Sequence, residues 1–154
     1  MRADGAPSTV RAGGPVPLPR EETWRILADL DRHHALTDGA MTILELDGPH
    51  GARTGGLVEL RGPLGLRRRA QTAVRAAEHP QWLAGTAATP SGTRAVLEWH
   101  LRPAPHGTHV DVELQVVPAT RRDRLLLALG AQRWLRRRLR AAVTGLAAMA
   151  GSGA

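Results

Sequence analysis

The sequence predicts an α+β fold, a curved antiparallel sheet of about six to seven strands wrapped around one long C-terminal helix. Three observations carry this. The stretch from Arg121 to Ala150 has no proline and is built mainly of Ala, Leu and Arg, all good helix formers. From Met41 to Pro118 the chain changes to period two, with runs of alternating apolar and polar residues separated by Gly- and Pro-bearing turns. Finally, the 154 residues show no internal repeat and no linker that would divide them, which is the right length for one real core.

In order, residues 1–7 read as a disordered N-terminus and 151–154 as a disordered tail, leaving 8–150 as one domain. Ser8 to Val16 alternates weakly and carries Gly13-Gly14, which suggests an edge strand with a bulge. Pro17-Leu18-Pro19 breaks it, and Arg20-Glu21-Glu22 opens a helix with acids in its first turn, where the helix dipole favours them. Trp24, Leu27 and Ala28 share one side of that helix. Asp29 to Gly39 reads as a loop or a second short helix. Strands are then expected over Met41–Asp47, Gly55–Arg61, Leu66–Glu78, Trp82–Ala88, Arg94–Arg102 and Thr108–Val117. On the third of these, Arg68, Ala70, Thr72, Val74 and Ala76 share the inner face. Ala95, Leu97, Trp99 and Leu101 take the inner face of the next-to-last strand, and Val110, Val112, Leu114 and Val116 that of the last.

An apolar sheet face needs a cover, and the last helix is the only large one left. Wound at 3.6 residues per turn, Ala128, Ala131, Gln132, Leu135, Leu139, Ala142, Leu146 and Met149 form its inward stripe. Trp134 falls on the opposite, Arg-rich side. As one unbroken helix the stretch would run to about 45 Å.

Composition excludes several classes. With no Cys there are no disulfides, thiolate metal sites or Cys nucleophile. Four Trp stand without any Phe or Tyr, so Leu, Val and Ala must fill the interior. The formal charge is +7 and every basic residue is Arg. Most of the arginines lack interleaved stacking aromatics, so no nucleic-acid partner is expected. No apolar run is long enough to span a bilayer and no signal-peptide pattern opens the chain, so a cytoplasmic location is expected. Ser8, Ser91 and Ser152 lack a nucleophile-elbow context, and the Gly48–Gly56 stretch lacks the strand–glycines–helix setting of a phosphate loop. No cofactor is expected. His33 and His34 with Asp29, Asp31 and Asp38 form a polar cluster, but adjacent His side chains diverge and no metal is expected there.

The layout resembles the START/Bet v 1-like (SRPBCC) superfamily, the helix-grip fold, in its polyketide cyclase/dehydrase and lipid-transport branch, which implies that 8–150 is a single helix-grip ligand-binding domain. The resemblance spans Ser8 to Ala150. Its carriers are the first strand running into Pro17-Leu18-Pro19-Arg20-Glu21-Glu22-Thr23-Trp24 and then Leu27-Ala28-Asp29. Others are Gly55-Gly56, Val74-Arg75-Ala76-Ala77-Glu78-His79-Pro80, and Leu101-Arg102-Pro103 followed by Gly107-Thr108-His109-Val110. The resemblance implies a cavity between sheet and final helix that holds a hydrophobic small molecule such as a lipid, isoprenoid or polyketide-like compound. The residues expected to line it are Trp24, Arg68, Thr72, Val74, Leu97, Trp99, Leu101, Val112, Leu114, Ala128, Gln132 and Leu135, with Arg68, Thr72 or Gln132 orienting a polar end.

Two alternatives stand beside this reading. One is an aromatase/cyclase acting on a bound poly-β-ketone, which the absence of a cavity phenol and the Asp31-Arg32-His33-His34 loop weigh against; no catalytic residue is assigned. The other is an interaction protein whose basic C-terminal helix, with Trp134, makes a peripheral membrane or homodimer contact.

Overall fold

The computed structural model describes residues 7–30, 33, 41–50, 52–62 and 65–152, the side chains of 150–152 excepted. Of the expected disordered termini, residues 1–6 and 153–154 lie outside the described residues, as does most of the loop or short helix after Ala28; Gly151 and Ser152, expected in the tail, continue the last helix instead.

Among the described residues, seven strands and three helices follow in the order β1 (Ser8–Val16), α1 (Arg20–Ala28), β2 (Met41–Asp47), β3 (Gly55–Arg61), β4 (Arg67–Glu78), β5 (Trp82–Ala88), β6 (Arg94–Ala104), β7 (Gly107–Val117), α2 (Arg121–Leu126) and α3 (Gln132–Ser152). The strands form one antiparallel sheet in the order β1-β7-β6-β5-β4-β3-β2. From β2 to β7 each strand pairs with its sequence neighbour, as short turns dictate. The long-range pairing is β1 with β7, from Ser8 opposite Val116 to Val16 opposite Thr108. This is the helix-grip arrangement, an α+β fold.

The β1–β7 register runs without a slip, so no bulge occurs at Gly13-Gly14. Those glycines serve close approach instead. A Cβ on Gly13 would stand 2.6 Å from the Asp111 Oδ1, and one on Gly14 3.2 Å from the Val143 side chain of α3. The register shifts fall elsewhere, in β2 between Ile43 and Glu45 and in β4 between Val74 and Ala76. Bulges increase local twist, and these two help curl the β2–β4 end of the sheet.

The last strands alternate as the period-two pattern requires. Val110 and Val112 are buried, and Leu114 and Val116 partly so. Leu139, Ala142, Val143 and Leu146 of α3 pack with Val110 and Val112 and with Val10, Val16, Trp24, Leu27, Leu83, Trp99 and Leu101 in one core cluster, with Leu114 against its edge. Leu146 is fully buried at its centre. Replacing it with Ala should cost about 2–5 kcal/mol, read as a lower denaturation midpoint with an unchanged m-value.

A second, polar device fixes the β1–α1 corner. Thr23, fully buried, donates its hydroxyl hydrogen bond to the Pro19 carbonyl at 3.0 Å, and Thr108 donates to the Leu18 carbonyl at 2.7 Å. The turn after β1 is thereby tied to β7 with both buried hydroxyls satisfied.

The C-terminal segment differs from the expected single helix. Between α2 and α3 lies a wider π-type turn, Leu127–Ala131, in which Gly130 has φ 114° and ψ 10°. A side chain strongly disfavours that conformation, and glycine adopts it freely. The segment therefore divides at Gly130, and α3 alone is the long helix, 21 residues.

Candidate functional site

The close-packed core occupies the β1–β7–β6 side, beneath the second half of α3. Toward β2–β5 the sheet continues but the helix cover thins, and a cavity of about 450 Å³ remains. Its origin is visible in side-chain size. On the concave face Thr72 of β4 stands beside Ala87 of β5, and Ala87 beside Ala95 of β6. Ala70 and Gly85 extend this floor of short side chains. These short side chains leave the space beneath the roof unfilled. Ile43, Val58 and Leu60 form one wall, Leu97, Leu114 and Val116 the other. Leu126 and Leu127 of the α2 turn, with Ala131, Trp134 and Leu135, close the top.

One charged cluster interrupts this apolar lining. Asp123, 5% exposed, is salt-bridged to Arg68 and accepts a hydrogen bond from the Thr93 hydroxyl. Thr93 Oγ1 in turn accepts from the Ala119 N–H at 3.0 Å. Thr120 caps α2, its hydroxyl oxygen accepting from the Asp123 N–H at 3.1 Å. Strand β4, the turn before β6 and the start of α2 are thus pinned at one point. The Arg68 hydrogen bond holds the Asp123 carboxyl below the usual carboxylate range; the Thr93 and Thr120 hydrogen bonds and the Arg68 charge act the same way, against the opposing effect of burial. Asp123 is therefore ionised throughout the physiological range.

His33 also lines the cavity. Burial pushes its imidazole below the ordinary histidine value, outweighing the hydrogen bond to the Leu27 carbonyl and the nearby Asp29, which favour the protonated form. A neutral ring donates to that carbonyl through Nε2–H, leaving Nδ1 as an acceptor. His34, Asp31 and Asp38 lie outside the described residues. Among the described residues, no three His, Asp or Glu side chains are grouped to hold a metal ion.

Of the residues expected at the cavity, Arg68, Thr72, Val74, Leu97, Trp99, Leu114 and Leu135 do line it. The Thr72 hydroxyl is already bonded to the Gly56 carbonyl at 3.0 Å. Trp24, Leu101 and Val112 are buried in the neighbouring core instead, Trp24 edge-on to His79 with ring centroids 5.4 Å apart. Ala128 and Gln132 are exposed. Ala128 precedes the Gly130 break, so the stripe drawn along one continuous helix does not carry it inward. Gln132 lies one position off the true seam, which runs Ala131, Trp134–Leu135, Arg138–Leu139, Ala142–Val143 and Leu146.

The same continuous stripe puts Trp134 on the outer face, and the structure does not. Trp134 is half-buried and lines the cavity, with the Arg138 guanidinium 5.2 Å from its ring centroid. Asp123, His33 and Arg138 stand at the site although the sequence pattern does not assign them to it. For Asp123 a signal is present, a lone acid in an arginine run, three residues after a capping Thr120. Among the described residues, no helix is long and apolar enough to cross a membrane.

No protein-family model matches the chain, and no curated protein does. Solved structures do. The fold is similar to that of TTHA0849 from Thermus thermophilus, with a TM-score of 0.75 and 22% identity over 96% of this chain and 99% of that one. It is similar to the KanY protein, at TM-score 0.74 and 15% identity over 95% and 99% of the two chains. It is also similar to SA2116 from Staphylococcus aureus, described as a protein of unknown function, at TM-score 0.71 and 12% identity over 99% and 98%. At these identities the likeness is one of fold, and it extends over nearly the whole chain.

Proposed function

We propose that this protein is a ligand-binding member of the START/Bet v 1-like superfamily that holds a hydrophobic small molecule, a lipid, isoprenoid or polyketide-like compound, between sheet and helix. The observation that carries this is the 450 Å³ cavity floored by Ala, Gly and Thr and walled by Leu, Val and Ile. Small-molecule sites are concave and mostly apolar, with few polar groups to fix orientation. Arg68 is the inward polar group of the floor strand, and Arg61, Arg94 and Arg138 also line the cavity, against one acid, Asp123, that is already paired. The excess of arginine suits a ligand with a polar, acidic end and a long apolar body.

The test is fluorescence titration with a neutral apolar dye, followed by displacement with long-chain fatty acids and isoprenoid alcohols. Saturable binding at one dye per chain, displaced by at least one of these classes, supports the reading. A dye signal that never saturates, or that none of them displaces, counts against it.

The cyclase reading rests on one observation, the imidazole of His33 at the cavity wall with Nε2 against the Leu27 carbonyl, where burial favours the neutral ring. A proton acceptor in that place is what abstraction beside a ketone requires. Its mark would be a His33→Gln variant that binds a β-ketone chain normally and no longer accelerates its cyclisation.

A further inference from the structure

Beside the cavity, the turn that forms its roof also shows the outside an unusual surface. Among the described residues Leu129 and Leu125 are the two most exposed large apolar side chains, at 76% and 58%. They stand four residues apart, one turn of helix, just before the Gly130 break. Leu126 and Leu127 between them line the cavity, so one turn of chain faces both ways. Arg121 and Arg122 are exposed a turn earlier, and Arg133, Arg136, Arg137 and Arg140 are exposed after it. The acid in this stretch, Asp123, is buried and salt-bridged to Arg68 and offers no negative charge to solvent.

Projecting leucines flanked by unneutralised arginines match one kind of partner. A nucleic acid would use the cations and leave the leucines in water. A protein partner or a second copy would need a broader apolar face than two side chains on a convex turn. A bilayer with anionic head groups satisfies both at once. We propose that α2 and the Leu127–Ala131 turn dock on an anionic membrane surface, Leu125 and Leu129 entering the acyl boundary and the arginines meeting the head groups. Docking there sets the roof of the cavity against the lipid. The docking surface does not depend on what the cavity holds, so membrane docking and ligand binding can be lost independently.

The test is co-sedimentation of the full chain with vesicles of phosphatidylcholine alone and of phosphatidylcholine with one-third phosphatidylglycerol. Binding to the anionic vesicles is expected and binding to the neutral ones is not, and salt at about 0.5 M should release the protein. The double variant Leu125→Ser, Leu129→Ser should bind at least about tenfold more weakly, since two leucines no longer leave water. Arg121→Gln with Arg122→Gln should also bind more weakly. All four positions are exposed, so the melting temperature and dye binding should be unchanged, which separates lost docking from lost folding. Equal binding to both vesicle types, undiminished binding by the leucine variant, or a homodimer that this variant converts to monomers would each overturn the proposal.

Discussion

Replacing Asp123 with Ala is expected to destabilise the fold by about 3 kcal/mol, the lower end of the cost of breaking a buried ion pair. The carboxylate is 6% exposed, whereas the Arg68 side chain keeps 29% exposure, so water can recover part of what Arg68 loses. Thr93 loses its acceptor in the same step. Because α2 is pinned to the sheet through this point, the roof of the cavity should loosen before the core does. Hydrogen exchange would show this as lost protection around Arg121–Leu127 with α3 protected near Leu146.

The same residue makes a pH prediction. Its folded-state pKa is depressed, so its contribution is fully present above the unfolded carboxylate value of about pH 4 and is lost as pH falls through the lower folded value. Asp123→Asn lacks that titration. Its stability curve should be flatter than the parent's below about pH 4, the two lying farthest apart near neutrality. Parallel curves would show that Asp123 is not held ionised by its partners.

The second large effect is on binding. Ala95 sits on the cavity floor between Ala87 and Val116. Ala95→Phe directs a ring into space that the fold leaves empty, so stability should stay within about 1.5 kcal/mol of the parent. Apolar dye binding should fall by at least about tenfold, because the ring takes the place of the ligand's apolar body. Unchanged affinity would place the ligand elsewhere, and global unfolding would show the floor to be close-packed. Ala128, a position the helical stripe suggests for the same purpose, is exposed, and a large side chain there would block nothing.

The sheet is the most legible part of the sequence. Period-two alternation is a local property, and the inner faces of β4, β6 and β7 can be read directly from Ala70–Thr72–Val74, Leu97–Trp99 and Val110–Val112. The long helix is legible from composition, but its break is not. Gly130 stands in an otherwise strong helical run, and a single glycine there is tolerated more often than it ends a helix. Drawing the helix through it puts Ala128 on the inner face and Trp134 on the outer one. The separation of core from cavity is illegible for a different reason. Val112 and Leu114 share one strand face and look equivalent, yet Val112 packs in the closed core and Leu114 lines the void. That difference depends on where α3 lies across the sheet, which is a tertiary fact. The Arg68–Asp123–Thr93 cluster joins residues far apart in the chain. Only the inward direction of Arg68 shows in the sequence, as a charged residue on an apolar face that requires a partner.

The central claim is that the cavity holds a hydrophobic molecule, and native mass spectrometry of the protein purified from its own host addresses it most directly. The account predicts a mass above that of the bare chain by one small molecule, released into organic solvent on extraction and absent from the Ala95→Phe variant. A bare-chain mass from the native host, with no apolar compound in the extract, would contradict it.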